Sequence, residues 1–139
     1  MVNFIDPTRD KFSLMMKMPE EGKIHMLNMI RFRDYADYGD DRRVTGEQAY
    51  KTYGEESAPI FERVGGKIVH VWSPQLTLIG ADHEAWDRVF IAEYPNAAAF
   101  GEMVKDPAYQ IAVKHRQAAV ADSRLVRLKP ENASANFAF

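Results

Sequence analysis

The chain has 139 residues, 46% of them hydrophobic and 27% charged, the composition of one ordinary globular domain without staples. Its net charge of −2, with Lys and Arg scattered along the sequence, excludes the basic patch that a nucleic-acid surface needs. The absence of cysteine removes disulfides, thiolate metal sites and thiol nucleophiles. No apolar run approaches bilayer-spanning length, and the N-terminus lacks the basic start and apolar stretch of a secretory signal. A cytoplasmic location with no membrane or nucleic-acid partner is therefore expected.

Residues 1–22 form an N-terminal extension. Asp6-Pro7 or Thr8 can cap a short helix with Phe12, Met15 and Met16 on its apolar side, and Pro19 ends it. Ile24 to Phe32 reads as a strand. Its alternate residues are apolar on both sides, so a central strand covered on both faces is expected. Asn28 interrupts one face and Arg31 follows apolar residues on the other. Each either makes structural bonds or points at a ligand, Arg31 by salt bridge or by clamping a carboxylate.

Residues 34–43 form a loop dense in Asp, Arg and Tyr. Asp34, Asp37, Asp40 and Asp41 do not follow the alternating spacing of a calcium loop. The loop is either solvated or a lid in which Tyr35 or Tyr38 touches a ligand. Thr45-Gly46-Glu47-Gln48 is a capping box, and a helix burying Tyr50, Tyr53, Ile60, Phe61 and Val64 follows, stopped by Gly65-Gly66.

Lys67 to Ile79 is a strand region that Ser73-Pro74 interrupts, which marks an edge strand or a bulge. Ile68, His70 and Trp72 are expected on one face. A polar turn over 80–85 leads to a strand from Trp86 that Pro95 ends. Asn96 caps a helix carrying Phe100, Met103 and Val104. Asp106-Pro107 starts a second helix, whose expected buried stripe is Ala108, Ile111, Ala112, His115 and Ala119. Leu125 to Leu128 closes as a strand. The tail 130–139 is either disordered or an arm carrying Phe137 and Phe139.

Several of these stretches carry a resemblance. Arg88-Val89-Phe90-Ile91-Ala92-Glu93-Tyr94-Pro95, Asp106-Pro107-Ala108-Tyr109-Gln110, Ser123-Arg124-Leu125 and Gly65-Gly66 are similar to the family known as domain of unknown function 1330. The resemblance spans roughly residues 24–128. It implies an α+β fold with a ferredoxin-like βαββαβ core at 24–128, closed sheet to sheet as a dimeric α+β barrel. The extension, the 34–43 loop and the tail depart from the short family pattern. The resemblance implies no activity.

The residues add no familiar motif. His25, His70, His83 and His115 show no metal-ligand spacing, no Gly-rich phosphate loop is present, and no cofactor is expected. Ser123, His115 and Asp122 permit a triad only on paper. Polar residues on apolar faces are the better candidates. Glu93, if buried, would have a raised pKa and serve as an acid/base, as would His115. Asn28, Arg31, His70, Trp72 and Tyr109 are the candidate substrate-binding residues.

Two readings follow. One is a cofactor-independent enzyme acting on a small carboxylated or aromatic metabolite, monooxygenase-, isomerase- or lyase-like by analogy of fold alone. The other is a non-catalytic oligomeric binding or scaffold protein. In both, a homodimer or higher homo-oligomer is expected, because one chain alone would leave a face of the first strand wet.

Overall fold

The structure, a computed structural model, describes residues 2–19 and 22–139, so residues 1, 20 and 21 of the extension lie outside the described residues. The elements run α1 (Arg9–Lys17), β1 (Ile24–Phe32), α2 (Gly46–Arg63), β2 (Lys67–Trp72), β3 (Arg88–Tyr94), α3 (Ala97–Lys105), α4 (Pro107–Ala119) and β4 (Val120–Leu128). The strands form one antiparallel sheet in the order β2-β3-β1-β4. With α2 crossing between β1 and β2, and α3 with α4 between β3 and β4, this is the ferredoxin-like βαββαβ arrangement.

The helix boundaries follow local chemistry. Thr8 accepts from the Lys11 N–H, and Thr45 and Gln48 bond reciprocally in a capping box. Asn96 accepts from the Ala99 N–H at 2.8 Å, and Asp106 from the Ala108 N–H at 2.7 Å. Gly65 ends α2 with a φ of +88°, a conformation that side chains disfavour.

All helices lie on one face of the sheet. Ile24 and Met26 of β1 and Ala92 and Tyr94 of β3 pack there against Ile60, Phe100, Met103 and Tyr109. A smaller cluster of Ile30, Ala49, Ala119 and Val120 closes the opposite end. The outer face carries His25, Leu27, Met29 and Arg31 of β1, with Val89, Ile91 and Glu93 opposite them.

Several expectations need correction. A bulge between Ile68 and His70 puts Ile68 opposite Ala92, on the helix side, while His70 and Trp72 stand opposite Ile91 and Val89 on the outer face. The interruption thus comes earlier than Ser73-Pro74, although β2 is indeed an edge strand. The third strand starts at Arg88 and the last at Val120, so Asp122 and Ser123 lie within β4. On α4 the buried residues are Tyr109, Ala112, Arg116, Ala118 and Ala119, and Ile111 is 62% exposed. The 34–43 loop is pinned: Ala36 N–H bonds to the Val44 carbonyl, and Asp37 N–H to that of Ala118. Phe137 and Phe139 are exposed.

Candidate functional site

The helix pair α2–α4 covers the middle of the sheet and leaves the edge strand β4 partly bare. The N-terminal segment and α1 pass over that gap. Between them lies an open cleft of about 1030 Å³. Its floor is Met26 and Asn28 of β1 with Ser123, Leu125 and Arg127 of β4; its walls are Phe100, Met103 and Val104 of α3 with Tyr109, Val113 and Arg116 of α4. Phe12 meets Phe100 at a ring separation of 6.3 Å, and the Arg127 guanidinium donates to the Met15 carbonyl at 3.2 Å, which seats α1 as the roof.

Polar groups gather at one end. Arg116 is only 8% exposed. Its guanidinium donates to the Ile5 carbonyl and, at 3.3 Å, to Ser123 Oγ. Among the described residues, its carboxylate neighbour is the half-exposed Asp6 at 4.0 Å. The hydroxyls of Tyr53 and Tyr109 share a hydrogen bond of 2.9 Å. Burial pushes both phenols above their ordinary pKa, so they stay neutral and act as hydrogen-bond partners rather than bases. Tyr50, also buried and also raised by burial, is stabilised in its charged form by Arg116. The rest of the lining mixes apolar side chains such as Phe100, Met103 and Val113 with Arg9, Lys11, Gln110, Arg124 and Arg127. A buried, oriented cation with neutral hydroxyls near it and apolar walls alongside suits an anion with a hydrocarbon body.

The structure brings only two of the predicted site residues to this cleft, Asn28 and Tyr109. The Asn28 side-chain amide donates to the Met26 carbonyl at 3.1 Å, within its own strand. The other five lie elsewhere. Arg31 is on the outer face, donating to the His83 carbonyl at 3.0 Å and lying 3.9 Å from Asp122. His70 and Trp72 stack at 5.2 Å on that same outer face, with Trp72 50% exposed.

Glu93 is also on the outer face, opposite His25 and Lys67. It is buried, yet its pKa moves the other way. The His25 hydrogen bond at 3.0 Å leads, burial opposes it, and Lys67 and Lys23 add to it, lowering Glu93 to about 2. Burial alone would have raised it; the His25 hydrogen bond and the two lysines win, so Glu93 is no proton acceptor near neutral pH. His115 lies in the contact between α4, α2 and the 34–43 loop. Its Nε2 lies 3.0 Å from the Glu56 carboxylate, and its Nδ1 shares a hydrogen bond of 2.6 Å with the Tyr38 hydroxyl. Ser123 donates instead to the Phe4 carbonyl at 2.8 Å, so no Ser123–His115–Asp122 triad forms.

Sequence reasoning missed Arg116 and Tyr53 as cleft residues. Tyr109, Ala112, Arg116 and Ala119 recur at spacings of three and four, a helical stripe that includes the arginine. Among the described residues, no group of three or more His, Asp or Glu is placed to hold a metal ion, and no helix is long and apolar enough to cross a membrane.

The model of the domain of unknown function DUF1330 matches residues 40–128, leaving β1 and the N-terminal roof outside the match. Crystal structures of RPA0582, a protein of unknown function from Rhodopseudomonas palustris, are similar throughout. One is 54% identical with a TM-score of 0.90 over 95% of this chain and 100% of that one. Its methylated form is 55% identical with a TM-score of 0.91, over 95% and 98%. SnoaB, a cofactor-independent oxygenase from Streptomyces nogalater, is 14% identical with a TM-score of 0.53, over 83% of this chain and 99% of that one, and so shares the fold. No curated protein matches the chain.

Proposed function

The chain belongs to the DUF1330 family, a domain of unknown function, and from that premise we propose that its cleft binds a small amphipathic carboxylate, aryl or alkyl. One observation carries the reading. Arg116 is a buried cation in a cleft with apolar walls, bonded to neutral oxygens, with its nearest described carboxylate 4.0 Å away. A ligand carboxylate supplies the missing countercharge in a bidentate, charge-assisted pair. Tyr53 and Tyr109 lie within the field of Arg116, Asn28 lines the same cleft, and Phe100, Met103 and Val113 take the hydrocarbon part.

Calorimetry with phenylacetate and octanoate, against phenylacetamide and octanamide, tests this. The acids bind, and the amides bind at least roughly tenfold more weakly, as the loss of a charged hydrogen bond predicts. Equal affinity of acid and amide contradicts it.

A cofactor-independent enzyme is the second reading. Arg116 beside two neutral phenols is an arrangement that stabilises a developing oxyanion. The cleft lining holds no His or Glu, and Asp6 is its one carboxylate among the described residues, so binding is favoured over proton-transfer chemistry. A homodimer through the outer sheet face accompanies either reading. Its support is the outward position of Leu27, Met29 and Ile91 and the exposure of Trp72 and Val126.

A further inference from the structure

We propose that residues 4–7 are a strap that occupies the ligand's anion position, an autoinhibitory contact that an entering carboxylate displaces. The inference rests on the carboxylate-binding reading and adds its regulation. Two successive carbonyls of the strap sit where a bound anion would be held: Ile5 accepts from Arg116, and Phe4 accepts from Ser123 Oγ at 2.8 Å. The Phe4 N–H donates to Asp122 at 2.8 Å, fastening the strap to β4 from the other side. The Asp6 carboxylate stands 4.0 Å from Arg116 and 3.4 Å from the Gln117 amide.

These bonds are few, and residues 2–7 have no regular structure. A neutral carbonyl is a weaker partner for a guanidinium than a carboxylate, by about a factor of two in hydrogen-bond strength. A ligand carboxylate at Arg116 therefore evicts the Ile5 carbonyl and repels Asp6. The α1 roof stays, because Phe12 on Phe100 and the Arg127–Met15 bond hold it independently of the strap. Opening is a local peel hinged at Pro7-Thr8.

Hydrogen exchange on the full chain, with and without saturating phenylacetate, reads this directly. The Phe4 amide loses protection when phenylacetate binds, while the Phe12 amide, bonded to the Thr8 carbonyl at 3.0 Å, keeps its own. Asp122→Asn loosens the strap while keeping Arg116 and the Ser123 hydroxyl in place, although it also weakens Asp122's own pairs with Arg124 and Arg31, and phenylacetate then binds roughly three- to tenfold more tightly, because more of the protein is already open. Phenylacetate binding with Phe4 protection unchanged or increased overturns the strap and leaves the carboxylate reading standing. Asp122→Asn that folds and binds no more tightly does the same. Should that variant fail to fold, the exchange measurement on the unaltered chain decides alone. No binding to either protein overturns the carboxylate reading and the strap with it.

Discussion

The Arg116 guanidinium reaches from the last turn of α4 to Ser123 Oγ on β4, 3.3 Å away, across the edge of the sheet that the helices leave bare. The same guanidinium holds the Ile5 carbonyl. Three parts of the chain distant in sequence thus meet at one buried cation. Replacing it by Arg116→Gln leaves those acceptors without their donor, and a loss of about 1–3 kcal/mol of stability is expected. Urea unfolding of the two proteins at pH 7 measures it.

Tyr53 and Tyr109 provide a check on the hydroxyl pair, bonded at 2.9 Å. Removing either hydroxyl leaves the other buried without its partner, and each of Tyr53→Phe and Tyr109→Phe is expected to cost about 1–2 kcal/mol. The double variant costs little more than one single change, because the bond is lost only once. A double-mutant cycle therefore gives a coupling of about 0.5–1.5 kcal/mol, and strict additivity would show that the two phenols do not act together.

Glu93 sets a pH dependence. Its folded pKa of about 2 lies below the ordinary carboxyl value, chiefly through His25, with Lys67 and Lys23 helping against burial. A depressed carboxyl contributes stability that is fully present above its unfolded pKa and lost as pH falls through the folded one. The window is therefore about pH 5 to pH 2. Its lysine partners are more than half exposed, which screens the effect, so the contribution is about 1–2 kcal/mol. Unfolding curves at pH 7, 4 and 2.5 should show this loss, and Glu93→Gln should flatten it.

Two glycines of α2 should respond oppositely to alanine. A Cβ on Gly46 would meet the Arg33 carbonyl oxygen at 2.1 Å and the Ala119 carbonyl oxygen at 2.8 Å, backbone that cannot step aside. Gly54 is exposed in mid-helix with nothing within 4 Å. Gly54→Ala is expected to stabilise by about 0.5–1 kcal/mol. Gly46→Ala is expected to destabilise by about 2 kcal/mol or more. Thermal unfolding of the two variants distinguishes them by sign.

What was legible in the sequence was local. The Thr45 capping box, Asn96, Asp106-Pro107 and Gly65 each determine their own helix end, so those boundaries hold. The alternation of β1 gave a strand with two apolar faces, and both faces exist. What was not legible depended on pairing. The bulge that turns Ile68 away from His70 comes from the register with β3, which no property of Lys67–Trp72 specifies. Glu93 and Tyr109 are both polar residues on apolar elements, yet the sheet separates them by placing one on each face. Arg116 was hidden because a charged residue reads as the end of an apolar stripe. Here its stem is buried within the stripe and its head reaches neutral oxygens across the cleft.

Titration of phenylacetate into the unaltered chain and into Arg116→Gln, with circular dichroism confirming that both are folded, decides whether Arg116 holds the carboxylate. An affinity at least roughly tenfold weaker in the variant is expected, the value of one charge-assisted pair. Equal affinity in the two proteins would place the ligand away from Arg116 and contradict the carboxylate cleft.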